Sequence, residues 1–146
     1  MEIKLTKEQY EKLVDLVYLG NWMINSYRTD DRLDEYDKVA EQVMTHAPSC
    51  GLKDKVEFDE VEGRCYPTRK LDEELRGFVD DYDDEAFWDL VVVKLAERDM
   101  VKEFGEAAVD GMGWDEYEEK REPFLQKYLK EIEENGIDNL EIYRIS

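Results

Sequence analysis

Asp80, Asp81, Asp83, Asp84 and Glu85 place five carboxylates within six positions, between Phe78 and the pair Phe87-Trp88. Three kinds of chemistry use such density: cation binding, imitation of a phosphate backbone, and capping of a helix. A calcium loop fails on register. Counted from Asp81, the sixth residue is Ala86 where a glycine is needed, and the twelfth is Val92 where a bidentate glutamate is needed. Capping accounts for three of the five, with Asp83 as N-cap and Asp84 and Glu85 in a first turn, where carboxylates meet orphan N–H groups and the helix dipole. The expected local structure is therefore a junction between two helices. The five acids together form the candidate partner-binding face, since a dense negative patch speeds encounter with a basic surface.

Other acids are spaced for chemistry as well. Glu8/Glu11, Asp81/Asp84, Glu119/Glu122 and Glu131/Glu134 stand three apart, the spacing that magnesium-dependent helical nucleotide hydrolases use. With carboxylates at about a quarter of all positions, roughly ten such pairs arise by chance, so the match carries little information. His46, Cys50 and Cys65 are the only soft metal ligands. They lack the four-ligand, close-paired pattern of structural zinc. No glycine-rich phosphate loop, nucleophile elbow or histidine dyad is present. The sequence thus points to no catalytic residue, no metal ligand and no cofactor.

The strongest candidate outside the acids lies in LGNWMINSYR. Tyr18, Asn21, Asn25 and Arg28 follow at steps of three, four and three, which puts them in one polar stripe of a helix. Asn21, Asn25 and Arg28, with Trp22 as a stacking wall, are the ligand-binding candidates. The competing expectation is an internally satisfied network that fixes helix register, with Arg28 paired to a carboxylate.

These side chains need elements to hold them. Thr6 and Gln9 are spaced as a capping box, with Leu5 and Tyr10 as a hydrophobic staple, so a first helix should begin there and run to about Arg28. Its apolar residues from Leu13 to Tyr27 cover nearly the whole circumference, which predicts a central, buried helix. Asp30 or Asp31 is expected to cap a second helix ending before Ala47-Pro48. Alternation of Val56 and Phe58 with charges, and Gly63 before Arg64-Cys65-Tyr66-Pro67, predicts short extended segments or one irregular hairpin. Helix resumes after Thr68, and again from about Asp84 to Phe104 with Gly105 as its stop. A last helix should follow Gly113, kinked at Pro123 or restarting there, and close at Asn135-Gly136. The tail NLEIYRI is expected to be extended and to pair with EIKL near the other end. The predicted fold is mainly α: one domain over residues 1–146, a bundle of about five or six helices with a small β element near 56–66, at the paired termini, or both.

Composition bounds the function. In 146 residues, 39 Asp and Glu stand against 20 Lys and Arg, a formal net charge of -19, with 42% hydrophobic residues to build a core. That field repels phosphate backbones and anionic membranes, so direct nucleic-acid or membrane binding is not expected. No stretch has the apolar run of a signal peptide or a membrane span, and a cytoplasmic protein with reduced thiols is the default. Lysines (12) outnumber arginines (8), mildly against a purely halophilic origin of the charge. The leading expectation is a non-enzymatic acidic protein that binds a basic protein surface, in its sharpest form a nucleic-acid mimic that inhibits a DNA- or RNA-binding enzyme. The alternatives are a metal-dependent helical hydrolase using paired carboxylates and a small-ligand module built on the first-helix stripe.

Overall fold

The computed structural model describes residues 2–141. In chain order these form α1 (Lys7–Asn25), α2 (Asp34–Met44), β1 (Val56–Asp59), β2 (Arg64–Pro67), α3 (Arg69–Phe104), α4 (Glu106–Asp110) and α5 (Trp114–Asn135). The fold is mainly helical with a single small antiparallel hairpin among the described residues, as the sequence predicts. Of the tail expected to pair with EIKL, residues 142–145 lie outside those described, while residues 139–141 and 2–5 are described and form no strand. The chain divides into two compact units, one up to Asp81 and one from Tyr82.

In the first unit, Thr6 Oγ1 accepts the Gln9 N–H at 3.2 Å while Gln9 Oε1 accepts the Thr6 N–H at 2.9 Å, the reciprocal capping box. The core gathers Val14 from α1, Met44 and Ala47 at the end of α2, Leu52 and Val56, Cys65 of β2, and Leu71 and Leu75 of α3. The hairpin pairs Val56 with Pro67 and Asp59 with Arg64. Its turn closes locally: Asp59 Oδ1 accepts the N–H groups of Val61 (2.7 Å) and Glu62 (2.9 Å), and Gly63 takes the left-handed φ of 67° that the turn requires. Thr68 then starts α3, its Oγ1 accepting the Leu71 N–H at 3.3 Å. Lys55 ties three segments together below the surface. Its ammonium meets Asp15 at 2.9 Å, Glu11 at 3.0 Å and Glu74 at 3.7 Å. Carboxylates from two helices do converge, but upon a lysine.

In the second unit, Val92 and Ala96 of α3 pack with Tyr128 of α5, flanked by Leu95, Phe124, Leu125 and Ile132. Asp99 anchors the pair of helices: it accepts from the Tyr128 hydroxyl, from Lys127 at 3.1 Å and from Arg98 at 2.9 Å. Burial would raise its pKa, but these hydrogen bonds together hold the carboxyl far below the usual range. Gly105 and Gly136, at φ 84° and 57°, end α3 and α5 as expected.

Four local expectations need correction. Residues 78–88 are not a junction: α3 runs unbroken through them, and Asp83 lies mid-helix rather than at an N-cap. No glycine or proline separates the two apolar patterns there, so nothing stops helix propagation once it has begun. Neither Asp30 nor Asp31 caps α2, which starts at Asp34 with Leu33 as an N-cap lacking a side-chain bond of its own. Of the two expectations at Pro123, the restart is not met, since helix α5 continues through it. And α1 is not buried all round: Leu16 and Met23 are exposed by 67% and 56%, as is Tyr27 just past its end by 71%.

Candidate functional site

The polar stripe of α1 faces a cavity of about 590 Å³ in the first unit, within the 300–1,000 Å³ range of small-molecule sites. Tyr18, Asn21, Trp22, Asn25 and Ser26 of α1 and its C-cap form one wall. Asp37, Ala40, Glu41 and Met44 of α2 form a second, and β2 adds Arg64, Cys65, Tyr66 and Pro67. Arg32, from the connection between α1 and α2, completes the lining.

Asn25 organises this wall. Only 1% exposed, it donates through Nδ2 to Asn21 Oδ1 (3.1 Å) and to the Leu33 carbonyl (3.2 Å), and its Oδ1 accepts the Leu33 N–H at 3.0 Å. The side chain thereby clasps the backbone where α2 begins, which is why α2 manages without a local cap. Asn21 passes the network on, donating to Asp37 Oδ1 at 2.8 Å. Arg32 grips the same carboxylate with Nε and Nη2 at 2.6 and 2.8 Å, the bidentate geometry that makes such pairs strong. The Arg32 hydrogen bond, with smaller help from Asn21, holds the Asp37 carboxyl below its ordinary pKa against the opposing effect of burial.

On the far side of Trp22, Tyr18 donates to Asp72, and Arg76 bonds the same carboxylate at 3.1 Å while its guanidinium lies 5.8 Å from the centre of the Trp22 ring. Burial, then the Asp72 hydrogen bond, pushes the Tyr18 phenol up to about 12. The third wall is held more loosely. Arg64 Nε stands 3.4 Å from Glu41 Oε1, too long for a strong charge-assisted bond. Among the described residues neither the Trp22 indole N–H nor the Ser26 hydroxyl has a hydrogen-bond partner. The cavity thus combines aromatic faces, an apolar base of Ala40, Met44 and Pro67, and a few unspent donors.

Of the four candidates from the stripe, Asn21, Trp22 and Asn25 line this cavity. Arg28 does not: its guanidinium pairs with Asp31 at 2.6 Å, donates to the Ile24 carbonyl and lies 5.0 Å from the centre of the Tyr27 ring. Sequence reasoning missed Arg32, Asp37, Glu41 and Arg64. Asp37, Glu41 and Met44 at steps of four and three on one helix were the available signal for α2; the approach of Arg32 and Arg64 depends on a turn and a hairpin whose geometry no spacing encodes.

The acidic five are all exposed, and none enters an ion pair among the described residues. Cys50 and Cys65 are free thiols, the first exposed and the second buried. Burial, and then the charge of Glu41, raises the Cys65 pKa, so the thiol facing the cavity stays protonated and is a poor nucleophile. Among the described residues no three His, Cys, Asp or Glu side chains are arranged to hold a metal ion, and no helix is long and apolar enough to cross a membrane. No protein-family model matches the chain, and no curated protein or solved structure is detectably similar to it.

Proposed function

We propose that the first unit is a non-catalytic binding module for a small aromatic carboxylate. The observation that carries this reading is the cavity itself, which Trp22 and the loosely paired Arg64 both line. Aromatic rings prefer aromatic walls, and Trp22, Tyr18 and Tyr66 supply them. Arg64 offers a planar guanidinium edge that suits a carboxylate. The opposite wall is already satisfied, with Asp37 neutralised by Arg32 and Asn25 fully bonded, so it gives shape rather than charge. Preformed, closed networks of this kind lower the ordering cost of binding.

The test is calorimetric titration with a panel of indole and benzoic acids and their uncharged amides. Acids should bind and amides should bind at least tenfold more weakly. Arg64→Met should remove that preference, and Trp22→Ala should abolish binding while circular dichroism stays unchanged. Acids and amides binding alike, or acids binding equally to Arg64→Met, would sink the proposal; so would no binding at millimolar concentration.

A second reading draws on a separate observation. Asp80, Asp81, Asp83, Asp84 and Glu85 make no ion pair among the described residues and are solvent-facing on one helix, interleaved with the exposed rings of Phe78, Tyr82 and Phe87. Free carboxylates set among aromatic groups suit a basic protein surface, including one that otherwise holds nucleic acid. Asp80→Asn, Asp81→Asn and Asp84→Asn combined should slow association with such a partner and flatten its salt dependence. Equal rates and equal salt slopes would remove this reading.

A further inference from the structure

Helix α1 has a second face that the described residues cover only in part. Successive helical residues turn by about 100°, so Val14, Tyr18, Asn21 and Asn25 share the side turned to the core and the cavity. The opposite arc, about 120° wide, carries Leu13, Leu16, Val17, Gly20, Met23, Ile24 and Tyr27, with no charged residue among them. In a chain that is 40% charged, an uncharged stripe about four turns long is unusual. Exposed Gln9, Leu16, Gly20, Met23 and Tyr27, with half-buried Leu13, follow one another at 9, 13, 16, 20, 23 and 27: alternating steps of four and three. That is the 3.5-residue period of a seam between two helices, not the broader stripe of a helix lying on a sheet or a lipid surface.

We propose that this face pairs with the α1 face of a second copy of the chain, antiparallel, about a two-fold axis near residue 18. Three features favour this occupant. First, the seam is self-complementary in shape. With the axis at residue 18, Leu16 of one copy falls opposite Gly20 of the other, and Leu13 opposite Met23. Open space surrounds the Gly20 Cβ position, so the leucine has room to seat against bare backbone. Second, the ends match in charge: exposed Lys4 precedes the helix and exposed Asp30 follows it, and the antiparallel order brings them near each other across the axis. Third, the area suffices. Ile3, Leu5, Leu16, Met23 and Tyr27 are between 41% and 71% exposed. They leave on the order of 500 Å² of apolar surface per copy, so a symmetric pair buries about 1,000 Å², the threshold of a specific interface. Two chains of net charge -19 repel one another, and an uncharged seam lets them meet with less repulsion than a charged face would. A basic partner would seek the opposite kind of surface.

Sedimentation equilibrium over a concentration series decides the matter. The wild type should reach twice its 17.4 kDa chain mass and associate more tightly as salt rises, because screening removes repulsion. Leu16→Glu with Met23→Glu should weaken association at least 100-fold without changing the circular dichroism spectrum, since both side chains are already exposed in the single chain. In a Cys50→Ser background, mixing Leu13→Cys chains with Met23→Cys chains should give the mixed disulfide faster than either chain links to itself. A monomer up to several hundred micromolar would overturn the proposal, as would a dimer indifferent to the paired glutamates. Rapid self-linking of Met23→Cys alone would overturn the antiparallel order.

Discussion

At the scale of single residues, the decisive positions are polar groups placed where water cannot reach them. Asn25 is the clearest. Its truncation to alanine would leave the Leu33 N–H without its acceptor, while the Leu33 carbonyl keeps the Tyr36 N–H; urea denaturation of Asn25→Ala should show a loss of about 1–3 kcal/mol, with the exposed Asn135→Ala as a near-neutral control. Lys55 is the second. Burial works against its charge, but Asp15 and Glu11 raise its pKa, so the folded state favours the ammonium. The stability it contributes is complete below the ordinary lysine pKa and declines as pH climbs past the raised value. Lys55→Met would leave three carboxylates facing one another and should destabilise by about 3–5 kcal/mol, with part of the loss recovered when Asp15 is changed to Asn as well. Asp37 works in the other direction. Its depressed pKa means that its contribution is present above the ordinary carboxylate range and disappears as pH falls through the lowered value. Tyr18 should titrate near 12 by ultraviolet difference spectroscopy, and its contribution, complete below pH 10, should fade as pH rises toward that value.

At the scale of elements, what could be read from the sequence was what is settled within a turn or two. Thr6 and Gln9 announce the start of α1 because both partners of the cap lie three residues apart. The glycine stops at 105 and 136 are legible for the same reason. The acid-rich centre of α3 was misread because an aspartate that suits an N-cap also tolerates an exposed mid-helix position, and only the continuing backbone decides between them. The start of α2 was misread because its capping group is Asn25, eight residues upstream and on another helix. The burial of α1 was overstated because an uncharged circumference records which faces avoid charge, not which ones the same chain covers. Half of the cavity was legible in the stripe at 18, 21 and 25; the half that depends on Arg32, Arg64 and the hairpin was not. One element-level prediction follows from Gly77, exposed within α3 with open space about its Cβ position. Gly77→Ala should stabilise the protein by up to about 1 kcal/mol, since the glycine only adds freedom to the unfolded chain; a thermal midpoint that falls instead would contradict its helical placement.

At the scale of the whole molecule, charge is the governing quantity. Ion pairs cannot neutralise 39 acids with 20 bases, and the carboxylates at 80–85 make no ion pair among the described residues. Compaction gathers this excess into a smaller volume than the unfolded chain occupies, so self-repulsion opposes folding. Moderate sodium chloride should therefore raise the thermal midpoint, whereas a protein held mainly by surface ion pairs would lose stability. Differential scanning calorimetry between 20 mM and 500 mM salt distinguishes the two.

Cys65 gives the cavity a built-in reporter. Its thiol is 7% exposed and kept protonated by its surroundings, while Cys50 lies open to solvent. Alkylation needs both access and thiolate, so the two sulfurs of one polypeptide form a clock and its reference. Iodoacetamide should consume Cys50 promptly and Cys65 slowly, at a rate set by transient opening of the hairpin wall. A molecule lodged beside Trp22 and Arg64 would slow the second reaction and leave the first unchanged. Mass spectrometry of the intact chain could then register occupancy without any label, and a collection of candidate molecules could be sorted by how long each keeps one sulfur unmodified.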